Sequence, residues 1–196
     1  MKFVLGVDEA GRGPLAGPVA VGIVCVEEGF DIAAAFPGLN DSKKLSEKKR
    51  EALFELLLER EKAGDVRFVV KSVDAATIDN AGIAVCVRRS VHEGIRTLMP
   101  EPTSGKVFLD GALSAPEGYE HEVVIGGDAL IPAIMLASIA AKVARDRLMI
   151  KLAEEYPVYG FEKHKGYGTK VHYAALKEHG LSPIHRRSFI HLDRAR

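Results

Sequence analysis

The residues best suited to chemistry in this chain are two consecutive acids, Asp8 and Glu9. They follow an apolar run, residues 2–7, that predicts a short strand, and they precede a glycine-flanked turn that begins at Gly11. Paired carboxylates on a bare backbone loop contribute little to stability, but they can hold a divalent cation beside a polyanion. The stretch therefore predicts metal-assisted chemistry on a phosphate-containing substrate.

Two further acids share this setting, because Asp110 and Asp128 each follow an apolar run and adjoin glycine. Strand ends cluster at one edge of an α/β sheet, where sites are usually built. Taken alone, either residue is better explained as ordinary turn chemistry. Together with Asp8 and Glu9 they would repel one another, and Mg²⁺ or Mn²⁺ would neutralise them because hard cations prefer oxygen ligands. The set of four predicts a metal centre.

Two short segments could contact a substrate near these acids. The backbone of Gly11, Arg12 and Gly13 could approach a ligand closely, although the same residues also suit a tight turn between two strands. Ser42 and Lys43 precede the start of a predicted helix, a position that suits either a bound phosphate or a solvated charged turn.

The C-terminal part of the chain is basic, since residues 161–196 hold eight Lys and Arg against three acids. Tyr167 lies there between glycines and among cations, which favours stacking on a sugar or base, with a partly buried structural tyrosine as the alternative. Five of the seven histidines also fall in this part, and without metal-binding spacing they are interpreted as polar surface or loop residues. Asp146, in a helical string, is interpreted as a surface or ion-pair residue.

Composition restricts the class of protein. At 196 residues and 47% hydrophobic, the chain can bury a core as one domain over 1–196, with a basic helical extension from about residue 156. Its 27 basic and 27 acidic residues cancel, so polyanion binding must come from local clustering. Cys25 and Cys86 lie in apolar patterns and predict two buried free thiols. The longest apolar stretch, residues 129–141, is shorter than a membrane span, and a cytoplasmic protein is expected.

The elements that must position these residues can be predicted from periodicity. Apolar β-rich runs predict five strands, at residues 2–7, 19–26, 66–73, 107–110 and 121–125. Helical spacing and end signals predict four helices, at residues 46–63, 83–98, 131–154 and 169–179. The loop between the first two strands is too short for a crossover helix, so those strands should be antiparallel neighbours. The alternation predicts a mixed α/β sheet flanked by helices.

Taken together, these motifs resemble bacterial ribonuclease HII in order along nearly the whole chain. The matching strings are VDEAGRGPLAGPV (7–19), LNDSKKLS (39–46), FLDG (108–111), GGD (126–128), ASIAAKVARD (137–146), YGFEKHKGYGT (159–169) and SPIHRRSF (182–189). The GRG directly after the acid pair also separates the chain from the related ribonuclease HIII. The resemblance implies a ribonuclease H-like mixed five-stranded sheet with a helical C-terminal segment.

The resemblance also implies roles for individual residues. Asp8, Glu9, Asp110 and Asp128 match the family's metal-binding catalytic acids. Gly11, Arg12 and Gly13 match the segment that reads the ribose 2′-hydroxyl, and Tyr167 matches the tyrosine that stacks on the sugar at an RNA–DNA junction. Phosphate-contacting regions are matched by Ser42, Lys43, Lys165 and Arg186. After Asp128 the chain departs from the family, because residues 129–134 are more apolar than expected.

The implied activity is that of a metal-dependent endoribonuclease. It would hydrolyse the RNA strand of RNA–DNA hybrids and nick 5′ of ribonucleotides embedded in duplex DNA, leaving 5′-phosphate and 3′-hydroxyl ends. Two Mn²⁺ or Mg²⁺ ions would take part in the hydrolysis. The protein is expected to act as a monomer on these duplexes. Whether its C-terminal tail contacts a replication clamp cannot be read from the sequence.

Two other classes stay open on the residues alone. A metal-dependent phosphatase or phosphotransferase could use acids at strand ends, but the basic aromatic C-terminal segment would then lack a purpose. A non-catalytic nucleic-acid-binding module would explain that segment, yet Asp8 and Glu9 would repel the phosphates beside them.

Overall fold

The computed structural model describes residues 2–191, and its centre is a five-stranded mixed sheet in the order β3-β2-β1-β4-β5. The strands are β1 (Phe3–Ala10), β2 (Val19–Glu27), β3 (Val66–Val73), β4 (Gly105–Asp110) and β5 (Glu120–Val124). The pairs β1–β2 and β2–β3 are antiparallel, whereas β4 is parallel to both β1 and β5. The predicted mixed sheet and the antiparallel first pair are confirmed.

Helices cover both faces of the sheet. They are α1 (Ile32–Ala35), α2 (Glu47–Ala63), α3 (Ala75–Ala81), α4 (Ile83–Leu98), α5 (Pro132–Glu155), α6 (Phe161–His164) and α7 (Lys170–His179). α4 packs its apolar stripe on one face, and α2 and α5 pack on the other. Because β2 lies between these layers, every one of its residues except the last is buried, as its continuous apolarity predicted.

Helix boundaries follow the predicted end signals. The Ser46 side chain accepts a hydrogen bond from the backbone N–H of Lys49, which caps the start of α2, and Gly64 ends that helix in the left-handed region. α3 was not predicted, although the Asp74 side chain caps it through the Thr77 N–H, because seven residues are too few to show a helical period. Cys25 and Cys86 are free and buried, as expected.

The long helix α5 lies against the central strands at backbone distance. A Cβ built on Gly6 of β1 would lie 2.1 Å from the Ala133 carbonyl, and one on Gly22 of β2 would lie 2.2 Å from the Ala137 oxygen. Only glycine in the strands, facing small residues on the helix, permits this approach. The side of α5 that carries Ala133 and Ala137 therefore faces the sheet, and the helix brings Ser138 and Lys142 to the strand end that holds the acids.

The segment after α5 packs back on the loop between β1 and β2. Leu15 and Ala16 of that loop join an apolar cluster with Met149 of α5, Phe161 of α6 and Leu176 of α7. Backbone hydrogen bonds from Leu15 N–H to the Gly166 carbonyl and from Gly17 N–H to the Ile184 carbonyl, both shorter than 3 Å, join the two segments directly. The loop next to the acid pair is thus fixed by the C-terminal part of the chain. No helix within residues 2–191 is long and apolar enough to cross a membrane.

Candidate active site

The first two acids belong to a strand rather than to a turn. β1 continues to Ala10, and Asp8 and Glu9 pair with Gly22 and Val21 of β2. The prediction that the strand ends at residue 7 is therefore wrong, because the antiparallel partner extends the ladder. Neighbouring strand residues face opposite sides, and accordingly Asp8 is 6% exposed, whereas Glu9 is half-buried.

The other two acids reach the same edge from neighbouring elements. Asp110 is the last residue of β4, which is parallel to β1, so that both strands end on the same side. Asp128 lies in a single 3₁₀ turn, Gly127–Ala129, that follows β5. The Gly127 N–H donates to Asp110 Oδ1 over 2.7 Å, which links the two segments. The strand-end prediction for these acids matches their positions in the structure.

Asp8 is the electrostatic centre of the group. Burial raises the pKa of its carboxyl to about 7, a hydrogen bond from Ser138 opposes the rise, and the charge of Asp110 adds to it. The Ser138 hydroxyl also lies 2.9 Å from the Ser42 hydroxyl, and both serines are buried. Ser42, predicted as a phosphate contact, thus reaches the centre of the site through Ser138 and Asp8.

Basic side chains already contact two of the four acids. Lys43 Nζ lies 2.7 Å from Asp128 Oδ2, and this hydrogen bond raises the pKa of the lysine. Arg12 Nη1 lies 2.8 Å from Glu9 Oε1. The Lys43 ammonium lies against the buried carboxylate of Asp128. A positive charge is favoured at this position, because the carboxylate would otherwise be buried without a counter-ion.

The donor set fits a divalent cation. Within residues 2–191, neither Asp8 nor Asp110 has a basic partner within 4 Å, so their charges are left without a protein counter-ion. In this same described part, no three acid, histidine or cysteine side chains stand close enough to enclose an ion by themselves. Few protein oxygens and an uncompensated charge are what Mg²⁺ or Mn²⁺ accepts when water and substrate complete its shell.

An open cleft of about 280 Å³ brings these groups together. Its lining comes from β1, the loop after it, the segment before α2, the end of β4, α5 and the turn before α7. The lining residues are Asp8, Glu9, Ala10, Gly11, Arg12, Gly13, Ser42, Lys43, Asp110, Ser138, Lys142 and Tyr167. Of the predicted site residues, Asp128, Lys165 and Arg186 are absent from this lining. Asp128 is tied to it through Lys43.

Sequence reasoning missed Lys142. Its ammonium contacts both carboxylate oxygens of Asp146, at 2.7 and 2.5 Å, and it lines the cleft. Asp146 is therefore an ion-pair residue, but it is 5% exposed and the surface alternative is wrong. The signal was available, because Ser138, Lys142 and Asp146 recur every four residues on one face of a predicted helix.

Arg186 does not lie where a phosphate could reach it. It is fully buried, its Nε donates to the Gly17 carbonyl, and its Nη1 and Nη2 donate to the carbonyls of Arg12 and Gly11. The prediction of a direct phosphate contact is wrong, because desolvation and these three bonds occupy the guanidinium. Desolvation also lowers the pKa of Arg186 to about 10. Two of its hydrogen bonds fix the backbone of the turn that contains Gly11 and Arg12.

A second buried arginine, Arg145, holds the other side of the same turn. Its Nε donates to the Pro18 carbonyl over 2.8 Å and its Nη2 donates to the Lys165 carbonyl over 2.9 Å. Gly11 has φ of +86°, and a Cβ there would lie 1.9 Å from Arg145 Nε. The two arginines and Gly11 thus determine the course of the backbone beside the acids.

Lys165 and Tyr167 lie on a constrained turn before α7. Among residues 2–191, Lys165 is the one non-glycine residue with positive φ, at 51°, and its ammonium donates to the Glu162 carbonyl. Tyr167 is 44% exposed, and the Arg145 guanidinium lies 5.8 Å from the centroid of its ring. Tyr167 therefore presents a ring face at the cleft, whereas the Lys165 ammonium is bonded within its own turn.

The interpretation of the histidines as surface or loop residues is wrong for His172, which is buried on α7. His185 does lie in a loop, but it is buried as well. The two residues are 0% and 2% exposed, and their Nε2 atoms lie 3.0 Å apart. The rings of His164 and His172 stack with centroids 4.6 Å apart. The spacing of these histidines in the sequence does not reveal their contact, because they are brought together from an α-helix and a separate loop.

The mixed five-stranded sheet with helices on both faces is a ribonuclease H-like fold, and the cleft at its edge is lined by acids and basic side chains. A family model described as Ribonuclease HII matches residues 5–192. The Ribonuclease HII of Endomicrobium trichonymphae is 46% identical over 95% of this chain and 84% of its own length. This chain belongs to the ribonuclease HII family, and it is a metal-dependent endoribonuclease that cleaves RNA in RNA–DNA hybrids.

Solved structures agree with the fold. The ribonuclease HII in the PCNA complex from Archaeoglobus fulgidus matches with a TM-score of 0.77 and 26% identity, covering 96% of both chains. Bst-RNase HIII in complex with Mn²⁺ matches with a TM-score of 0.70 and 16% identity, over 98% of this chain and 68% of its own. The second match concerns the fold alone. The family also excludes the phosphatase and the non-catalytic binding module that the residues alone left open.

Proposed function

We propose that this enzyme hydrolyses the phosphodiester bond on the 5′ side of a ribonucleotide, including a single one embedded in duplex DNA. The observation that supports this most directly is the arrangement of one cleft. Its lining contains Asp8 and Asp110 together with the Gly11 backbone and Tyr167. A phosphate and its adjoining ribose could therefore be contacted at the same time.

In this proposal Asp8, Glu9, Asp110 and Asp128 hold two divalent cations. When bound, the cations would supply charge for the phosphate, activation of water and stabilisation of the departing 3′-oxygen. The hardness of carboxylate oxygen favours Mg²⁺ or Mn²⁺, and Mn²⁺ is the ion named for the Bst-RNase HIII structure. Products would carry 5′-phosphate and 3′-hydroxyl ends.

The protein's own side chains prepare this chemistry. Ser138 orients the Asp8 carboxyl, and the Gly127 N–H fixes Asp110. We assign Lys43 to a substrate phosphate, because its side chain is 77% exposed and its ammonium could turn away from Asp128. Asp128 would then be free to hold a cation. Lys142 provides a second positive charge in the cleft. Both lysines would balance the charge that develops on the phosphate.

Selection of ribose is assigned to the turn after the acids. The 2′-hydroxyl both donates and accepts hydrogen bonds, and it is the group by which RNA differs from DNA. A backbone N–H and a carbonyl beside Gly11, Arg12 and Gly13 can satisfy both roles where a side chain would obstruct. The ring of Tyr167 is assigned to stack on the sugar at the RNA–DNA junction.

The partners follow from this arrangement. The substrate is an RNA–DNA hybrid or a DNA duplex that contains ribonucleotides, bound by a single copy of the chain. The sequence leaves a clamp contact of the C-terminal tail open, and residues 192–196 of that tail lie outside the described residues. The Archaeoglobus fulgidus relative was solved in complex with PCNA, and a pull-down with a sliding clamp, using chains with and without those residues, tests this contact.

The experiment uses a duplex with one ribonucleotide in one strand, with Mg²⁺ or Mn²⁺. We expect one nick 5′ of the ribonucleotide, a ligatable 3′-hydroxyl, and no cleavage of the all-DNA control. Asp8→Asn should bind the duplex but not cut it. A cut 3′ of the ribonucleotide, activity that survives chelation, or wild-type rates in Asp8→Asn would each overturn the proposal.

A further inference from the structure

Beneath Tyr167 lies a buried hydrogen-bond chain that the chemistry described so far does not use. It runs from Ser182 through His185 and His172 to the Tyr167 carbonyl. His172 is on α7, and His185 lies in the loop that follows that helix. Successive contacts are 2.9, 3.0 and 2.9 Å long. A chain of direct contacts therefore joins the C-terminal loop to the residue that presents a ring at the cleft.

The backbone donor at one end determines the tautomers. The Ser182 N–H can only donate, so His185 Nδ1 accepts and the His185 proton is on Nε2. His185 Nε2–H then donates to His172 Nε2, which leaves the His172 proton on Nδ1. That proton is donated to the Tyr167 carbonyl. Each imidazole is therefore neutral and has one defined tautomer.

The surroundings agree with two neutral rings. Desolvation lowers the pKa of both histidines, that of His185 to about 4. The His172 ring is stacked on His164 and meets the edge of Phe161. Tyr159 packs edge-on to His185. This packing fixes the ring planes, and hence the direction in which His172 Nδ1 donates.

Besides the Arg145 guanidinium at its ring, Tyr167 is held mainly through its backbone. The structure shows no hydrogen bond from its hydroxyl within residues 2–191, and the residue is 44% exposed. Its carbonyl accepts from the Thr169 N–H and from His172 Nδ1, and its N–H donates to the His164 carbonyl. The hydrogen-bond chain thus fixes the backbone of Tyr167, and the position of the backbone determines where the ring lies.

We infer that His172 and His185 are positioning residues for Tyr167, and that their ordered hydrogen bonds set the Tyr167 backbone so that its ring stands ready for the junction sugar. The inference rests on the proposed stacking role of Tyr167. The two histidines touch neither substrate nor cation. They lower the cost of ordering the ring when substrate binds.

The test compares two nearly isosteric variants of His172. In His172→Asn the amide nitrogen replaces Nδ1 as a donor to the Tyr167 carbonyl, whereas His172→Leu has no donor. With a single-ribonucleotide duplex, we expect His172→Leu to raise KM about 5- to 10-fold with kcat nearly unchanged, because the Tyr167 carbonyl keeps only the Thr169 N–H as a donor. His172→Asn should recover most of this loss. Equal KM values in the two variants would overturn the inference.

The same comparison in a Tyr167→Ala background separates positioning from general damage. If His172 acts through the Tyr167 ring, His172→Leu has no further effect on KM when the ring is absent. An undiminished effect would show that the histidine acts elsewhere. If Tyr167→Ala alone leaves KM unchanged, the stacking role fails and takes the inference with it. If Tyr167→Ala raises KM while His172→Leu does not, the inference alone fails.

A measurement on the unaltered enzyme covers the case in which a variant does not fold. Nitrogen-15 NMR of the histidine side chains distinguishes the two tautomers. We expect the proton on Nδ1 of His172 and on Nε2 of His185. The opposite tautomers, or a doubly protonated ring at neutral pH, would contradict the chain as described.

Discussion

At the scale of single residues, the energetics of the site are concentrated in Asp8. Its carboxyl is buried on β1 with Asp110 nearby, and burial raises its pKa from 3.8 to about 7. The folded protein therefore binds this proton more tightly than the unfolded chain does. Such a carboxyl is destabilising when ionised, and a bound divalent cation would relieve the cost. The ionised Asp8 thus lowers the free energy of unfolding, at the position where the proposed chemistry requires a negative charge.

A pH dependence of unfolding follows for the metal-free enzyme. With the folded pKa above the unfolded one, the stability associated with this group is complete below about pH 4 and is lost as the pH rises through 7. Asp8→Asn should therefore be more stable than wild type at pH 8, by up to about 4 kcal/mol, and only slightly different at pH 4. Denaturant titrations in chelator measure this difference.

Mn²⁺ provides the control for this prediction. A divalent cation favours the ionised carboxylate, so adding Mn²⁺ at pH 8 should stabilise wild type and narrow its difference from Asp8→Asn. A difference between the two proteins that stays constant from pH 4 to pH 8 would contradict the account of Asp8.

Arg186 and Arg187 give a second comparison between residues. Arg186 is fully buried against backbone carbonyls, whereas its neighbour Arg187 is exposed. Arg186→Met should lower the free energy of unfolding by about 3 kcal/mol, because three carbonyl acceptors lose their donor. It should leave the salt dependence of duplex binding unchanged. Arg187→Met should leave stability within about 0.5 kcal/mol of wild type.

Salt titrations of binding decide what Arg186 does. A side chain that contacts a phosphate contributes about one to the slope of log affinity against log salt. If the magnitude of this slope falls by about one in Arg186→Met, Arg186 does contact a phosphate, as the sequence predicted.

At the scale of elements, the site is made by close approach of α5 to β1 and β2. Gly6 and Gly22 allow the helix backbone to touch the strands, and this contact carries Ser138 to Asp8 and Lys142 to the cleft. The two buried arginines then hold the loop after β1 against the turn before α7. Thus the position of the acids and that of the turn at Gly11, Arg12 and Gly13 both depend on the one helix.

Glycine-to-alanine variants distinguish scaffold from site. A Cβ on Gly22 would lie 2.2 Å from a helix carbonyl, and β2 and α5 would have to separate, which should cost about 3 kcal/mol. A Cβ on Gly13 meets no atom within 4 Å, and so Gly13→Ala should unfold within about 0.5 kcal/mol of wild type. Thermal or denaturant unfolding measures both, and equal losses in the two variants would contradict the packing described.

The element scale also shows what the sequence could predict. The strands and long helices were predictable because apolar periodicity and caps such as Ser46 are local. The end of β1 was not, because pairing with Gly22 and Val21 extends it. The burial of Arg186 and His172 depends on long-range contacts that no spacing records, whereas the pair of Lys142 and Asp146 lies at helical spacing and could have been found. The four acids could be identified as a set because each lies at the end of an apolar run or beside one. The contact between Lys43 and Asp128 could not be predicted, because these residues are far apart in the sequence.

At the scale of the whole molecule, a chain of zero net charge must bind a polyanion through local fields. The basic groups at the cleft are Lys43, Lys142 and Arg12, and each contacts a carboxylate in the described structure. These pairs compensate Glu9, Asp128 and Asp146, whereas Asp8 and Asp110 are left for a cation. In the proposed function, substrate phosphate and divalent cation would replace the contact between Lys43 and Asp128, which would couple binding to assembly of the site.

The central claim is that β1 and its following turn combine the chemistry with the test for ribose. The most direct measurement compares wild type and Gly13→Ala on a duplex with one ribonucleotide and on its all-DNA counterpart. We predict that Gly13→Ala folds normally and that its kcat/KM on the duplex with one ribonucleotide falls about 10- to 100-fold. The ratio of kcat/KM on this duplex to kcat/KM on the all-DNA duplex should become smaller than in wild type. Wild-type cleavage with an unchanged ribose preference would contradict the claim.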